Sequence, residues 1–178
     1  INDILNSHGS EIDFLNTVDQ YDCFVFDQPF PKLSDPSARN GNLEVFFAKD
    51  PSKNFSVTNV ACDGQGTSSK KYREWNMRFR VDKTDSITTY ADGTTESKQI
   101  RLFDHVPKMQ RITAKKNWAS SMQDHKAGSV GAFNDLGREL GLTNPAIDAD
   151  SKVRTAVYQQ PFIGFSKQQN EDGEWVYT

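Results

Sequence analysis

The chain has 178 residues, of which 35% are hydrophobic and 25% charged, and its formal net charge is −3. That length suits a single domain with a sizeable core, and no run approaches the roughly 20 apolar residues of a membrane helix. Two cysteines, Cys23 and Cys62, form no C-x-x-C and are too few for a disulfide framework, so a reducing, cytoplasmic setting is expected. No leader pattern is visible, and Ile1 stands where a starting methionine is expected, which suggests an N-terminus further upstream.

The net charge hides three blocks. Residues 1–69 carry 4 basic and 10 acidic side chains, residues 70–118 carry 12 and 6, and residues 119–178 carry 5 and 8. A basic middle in an acidic chain fits a local footprint for a polyanion. The alternative is that the basic segments pair with the acidic flanks.

In chain order, Ile12, Leu15 and Val18 recur at helical spacing, and Ser10 followed by Asp13 can cap a helix within residues 1–20. Residues 21–27, YDCFVFD, read as a strand. Residues 28–42 hold Pro29, Pro31, Pro36 and Gly41 and read as a loop. Strands are expected over 43–48 and 54–62, followed by a flexible polar connection over 63–71. Residues 72–103 read as a long hairpin. Trp75, Met77, Phe79 and Val81 alternate with polar residues, and Asp92-Gly93 fits a two-residue turn. With that turn, opposed residue numbers sum to 185 and Val81, Ile87, Ile100 and Leu102 share the core face. The other face then collects Arg78, Arg80, Thr88, Tyr90, Gln99, Arg101 and Phe103.

Residues 104–118 read as a long basic loop. A short helix follows, with Val130, Phe133, Leu136 and Leu140 on its apolar face, Ser129 as N-cap and Gly141 beyond its end. The chain closes on a hairpin that carries Val153, Ala156, Val157, Phe162 and Phe165, turns at Asp172-Gly173 and returns through Trp175 to Tyr177. The whole reads as one α+β, mostly β domain over 1–178: an N-terminal helix in 1–20, then a β-rich core over 21–178 with one inserted short helix.

Catalytic signatures are sparse. His8, His105 and His125 lack metal-ligand spacing, and no Walker loop, G-x-S-x-G or H-E-x-x-H occurs. Glu96-Ser97-Lys98, with Asp82 and Asp85 nearby, resembles the core of metal-dependent nucleases, in which carboxylates hold Mg²⁺ and a lysine orients water. A nuclease is therefore the enzymatic alternative, and a structural or virion interaction protein is the third.

A binding role uses more of the chain. Unpaired nucleic acid needs cations along a groove and rings on which bases stack. Arg78, Arg80 and Arg101 supply the first, and Tyr90 and Phe103 the second. Lys70, Lys71 and Arg73 extend one margin, and Lys108, Arg111, Lys115, Lys116 and Trp118 the other. If a helix or loop covers that face, Phe103 is core instead. No enzyme activity, cofactor or metal is expected of this site.

A basic strand pair ending in KQIRLF, a basic loop, a helix ending in RELGL, then PFIGF and QQNEDGEWV resembles phage-encoded single-stranded DNA-binding proteins and related replication or recombination accessory proteins, over residues 70–178. The resemblance implies an oligonucleotide/oligosaccharide-binding (OB) antiparallel barrel with loops that clasp single-stranded DNA, partners among replication or recombination proteins, and a host cytoplasmic location. It also implies an acidic C-terminal tail. The chain stops instead at Glu174-Trp175-Val176-Tyr177-Thr178, so the tail is either lacking or lies beyond this end.

Overall fold

A computed structural model describes residues 17–66, 75–102, 107–115, 132, 135–137, 139–141 and 161–177. The chain divides into two compact units, one of residues 1–100, 110–115 and 162–178, the other of residues 101–109 and 116–161.

All nine described strands belong to the first unit. They are β1 (Cys23–Phe26), β2 (Arg39–Phe46), β3 (Phe55–Gln65), β4 (Asn76–Arg80), β5 (Ile87–Tyr90), β6 (Thr95–Ser97), β7 (Arg111–Ala114), β8 (Ile163–Gln169) and β9 (Trp175–Tyr177). They form one mixed sheet in the order β6-β5-β3-β2-β1-β8-β9, with β4 on β3 and β7 on β4. Only β1 and β8 pair in parallel; every other described ladder is antiparallel. The protein is mostly β, as its short, turn-separated apolar runs require. Among the described residues no ladder joins β9 to β6 or β7, so the sheet is open.

The main aromatic cluster of the core lies on one face of the sheet. Phe79 of β4, 1% exposed, meets the rings of Phe24 and Phe26 edge-on, each centroid 5.6 Å away. Leu43, Val45, Phe55 and Val57 bury beside them. Edge-to-face geometry sets the positive rim of one ring against the negative face of the next, adding to what burial alone contributes. Strand β1 is buried on both faces, with Cys23 and Val25 on one and Phe26 on the other.

Strand β3 organises the rest. Along one edge it pairs with β2 from Phe55 to Cys62. Along the other its first half pairs with β5 (Phe55↔Tyr90 to Thr58↔Ile87) and its second with β4 (Ala61↔Arg80 to Gln65↔Asn76). Between the halves β3 bulges: Gly41 pairs with Val60 but Leu43 with Val57, so β3 holds one extra residue. Asn59 takes it up at φ 51°, a left-handed conformation that asparagine tolerates better than most residues. Its N–H donates to Oδ1 of Asn42 at 3.1 Å, while the Asn42 N–H and Nδ2 donate to the Asp27 carboxylate at 2.6 and 2.7 Å. The Asn40-Gly41-Asn42 composition that suggests a loop therefore serves a bulged strand, and β2 begins at Arg39 rather than at residue 43.

The long hairpin over 72–103 is replaced by two shorter pieces. Strands β4 and β5 run the same way along β3, separated by residues 81–86. Only β5 and β6 form a hairpin, and opposed numbers there sum to 184 rather than 185 (Thr88↔Glu96). The reason lies in the turn. Tyr90 N–H donates to Thr94 O at 2.9 Å, Gly93 N–H donates to Tyr90 O at 2.9 Å, and Gly93 sits at φ 82°, so the loop has three residues and ends in a glycine bulge. The β8–β9 hairpin repeats the device at Asn170, Gly173 (φ 81°) and Glu174. Its Asp172-Gly173 turn, Phe165 in β8 and the return strand Trp175–Tyr177 follow the sequence reading; Phe162 falls just before β8, and Val153, Ala156 and Val157 lie outside the described residues.

Of the expected N-terminal helix, Thr17 and Val18 are helical and the rest lies outside the described residues. In the second unit, residues 132, 135–137 and 139 are helical, the Leu140 N–H donates to Leu136 O at 3.0 Å, and both leucines are exposed. Val130 and Phe133 of that helix's expected apolar face lie outside the described residues. Among the described residues, no helix is long and apolar enough to cross a membrane.

Candidate nucleic-acid interface

The basic cluster forms where β3, β4 and β7 lie side by side. In β4, Met77 and Phe79 point to the core, so Arg78 and Arg80 emerge on the opposite face. Strand β7 then aligns Arg111 opposite Arg80 and Thr113 opposite Arg78. Lys115, just past β7, donates from Nζ to Oε1 of Gln65, itself opposite Asn76. Arg78, Arg80, Arg111 and Lys115 thus share one outer face. Residues 104–118 are not a continuous loop: Arg111–Ala114 is a strand, with Ile112 and Ala114 half-buried and Arg111 and Thr113 exposed.

The cluster is held by two carboxylates. Asp63 of β3, directly opposite Arg78, accepts from Nε and Nη2 of Arg78 at 2.9 and 3.2 Å, and its Oδ2 lies 2.6 Å from Nη2 of Arg80. This hydrogen bonding pushes the Arg78 guanidinium further above its ordinary range. Asp82 accepts from Nη2 of Arg111 at 3.1 Å. Burial works against ionising Asp82, but the bond to Arg111 and its charge outweigh that, and the carboxyl lies below the usual range. Nε of Arg80 and Oδ1 of Asp82 are both buried, without a hydrogen-bond partner among the described residues. Pairing of the basic middle with the acidic N-terminal block is therefore partly realised, through Asp63. Among the described residues, the face still carries four cations, Arg78, Arg80, Arg111 and Lys115, against two carboxylates, Asp63 and Asp82.

Asp63 was hidden from sequence reasoning because D-G-Q-G reads as a connection, whereas β3 runs on through Gln65. The signal that extends the strand is that Asp63 and Gln65 fall in phase with each other on the face opposite buried Cys62 and the core-side Gly64. Gly64 belongs to the core side: a Cβ there would lie 2.2 Å from Cε3 of Trp75, so only glycine lets that buried indole close over the strand.

The shared basic-aromatic face changes in its aromatic part. Residues 81–86 break the alternation, so Thr88 and Tyr90 fall on the core face and Ile87 on the outer one. Thr88 is 0% exposed, with Oγ1 donating to Gln99 O at 2.7 Å, whereas Ile87 is 40% exposed. Tyr90 is half-buried against Phe55, centroids 5.9 Å apart, and its Oη donates to Glu96 at 3.3 Å. Trp75, Met77, Phe79, Val81 and Ile100 are buried, as their pattern requires. Arg101 and Lys108 are exposed and belong to the second unit. Lys70, Lys71, Arg73, Phe103, Lys116 and Trp118 lie outside the described residues.

The residues of the nuclease alternative are engaged elsewhere. Asp82 faces Arg111, Lys98 at φ 56° pairs with the exposed Asp85 at 3.1 Å, and Glu96 accepts from Tyr90. Among the described residues no group of three or more His, Cys, Asp or Glu is placed to hold a metal ion. Both thiols are buried: burial, then Asp22, pushes Cys23 up to about 11, and burial, then Asp63, pushes Cys62 up to about 12.

Comparison with family models, curated proteins and solved structures gives no match.

Proposed function

We propose that this protein binds single-stranded DNA with weak sequence preference, as a non-enzymatic replication or recombination accessory factor of the phage type, acting in the cytoplasm. The observation that supports this reading is the convergence of Arg78, Arg80, Arg111 and Lys115 on one face of β3, β4 and β7, from two segments 30 residues apart in sequence. A rigid row of cations neutralises phosphates without reading bases, which suits binding that tolerates any sequence. Tyr90, half-buried against Phe55 on the core face, is left out of base stacking. An OB-like barrel is the finer fold we propose. In support, β3 bends at a bulge and lends its halves to different strands, a way small barrels turn corners.

The test is a fluorescence titration of a labelled single-stranded oligonucleotide at several salt concentrations. With Arg78 and Arg80 meeting one phosphate together and Arg111 and Lys115 one each, log affinity should fall against log salt with a slope of about −2.1. Absence of binding at low salt by the folded protein would end the proposal.

A further inference from the structure

Arg80 and Arg111 are register partners, a rung of like charge directly across a strand pair, which sheets disfavour. The rung is offset from both sides, Arg80 by Asp63 and Arg111 by Asp82. Asp63 does more than balance charge, because it accepts from two arginines of alternate positions on β4 at once.

We propose that Asp63 is a positioning residue that holds Arg78 and Arg80 as a preformed fork for one phosphate oxyanion of a single nucleic-acid strand; this rests on the binding reading above. The Asp63 side chain is 16% exposed. A phosphate that displaced it would leave a carboxylate largely buried, without its partners and beside another anion, an arrangement that burial makes unfavourable. The oxyanion instead takes the donors Asp63 leaves. A guanidinium carries five N–H donors. Arg78 commits Nε and Nη2 to Asp63, and Arg80 commits Nη2. Nε of Arg80 is sealed from solvent, so its Nη groups are the ones a ligand reaches. Two guanidiniums fixed in this way lose little side-chain freedom when a phosphate arrives, which is the advantage of a planar fork over a free lysine.

The opposite role for Asp63 is a competitor that masks the arginines, and the two roles predict opposite signs. Asp63→Ala makes the face more positive by one charge. A competitor's removal tightens oligonucleotide binding and leaves the salt slope unchanged or steeper. Removal of a positioning residue weakens binding about tenfold despite the added positive charge, and lowers the slope by about 0.7 as one phosphate contact is lost. Asp63→Asn keeps one acceptor oxygen for Arg78 and falls between wild type and Asp63→Ala. Titrations of the full chain and both variants, with thermal melts as a check on folding, decide the matter; if Asp63→Ala does not fold, Asp63→Asn carries the test with the same signs. Equal or tighter binding by the variants, with wild type binding normally, overturns the positioning role and leaves the binding function standing. A wild-type protein that does not bind overturns both.

Discussion

Strand β3 offers the same edge to two neighbours, and the two halves could hardly be used more differently. Beside its second half, β4 and β7 turn Phe79 inward and Arg78, Arg80 and Arg111 outward. Beside its first half, β5 and β6 turn Thr88 inward and present Ile87, Thr89, Thr95 and Ser97, none of them charged. The backbone pairing is alike on both sides of the Asn59 bulge. The chemistry differs because six residues, 81–86, separate β4 from β5 and shift the phase of alternation between them. Binding, on this account, belongs to the β4–β7 half alone.

The largest expected contrast is in stability. Phe79→Ala removes a buried ring that two phenylalanines contact, and should cost about 3–5 kcal/mol in urea unfolding. Ile87→Ala, in the exposed β5 position, should cost less than about 1 kcal/mol. Near-equal losses would break the distinction between the two halves. Next comes binding. Arg111→Gln with Lys115→Gln should weaken oligonucleotide binding about thirtyfold, or about 2 kcal/mol, and lower the salt slope by about 1.4. Thr95→Glu in the β5–β6 half should change affinity far less, read in the same titration. A smaller effect sharpens the inside-out assignment of β5. Thr88→Val removes the donor to the Gln99 carbonyl and should cost about 1–2 kcal/mol, while Thr89→Val should be close to neutral by the same unfolding measurement.

A separate contrast, confined to alkaline conditions, lies in the pH dependence. Cys62, opposite Phe79, has its folded pKa raised from 9.0 to about 12, so above pH 9 the unfolded chain gives up a proton that the folded chain keeps. Stability should therefore be unaffected below that value and fall as pH rises from about 9 towards 12, by about 1 kcal/mol per pH unit from this group. Cys62→Ala should flatten that decline in unfolding curves recorded between neutral and alkaline pH.

What the sequence disclosed divides along the same line. Alternation within one strand was legible: Trp75, Met77 and Phe79 are buried and Arg78 and Arg80 are not. The phase across residues 81–86 was not, because a period of two carries no information through a loop. Asp92-Gly93 announced a turn, but the dipeptide fits two- and three-residue loops alike, and that single residue moves every cross-strand partner by one. The pairing of β4 with β7 is a long-range event between segments with no pattern in common. Arg111 and Lys115 were consequently recognised as basic while their place beside Arg80 was not. Asp63 was missed for a related reason: its glycine neighbour reads as flexibility, yet serves to admit Trp75.

If the proposed function holds, nucleic acid lies on the β4–β7 half of the β3 edge. Backbone hydrogen exchange with and without a single-stranded oligonucleotide tests it most directly. Binding there slows exchange over residues 76–80 and 111–114, with no change over 87–90 and 95–97. Protection of β5 and β6 with β4 and β7 unaffected would contradict it.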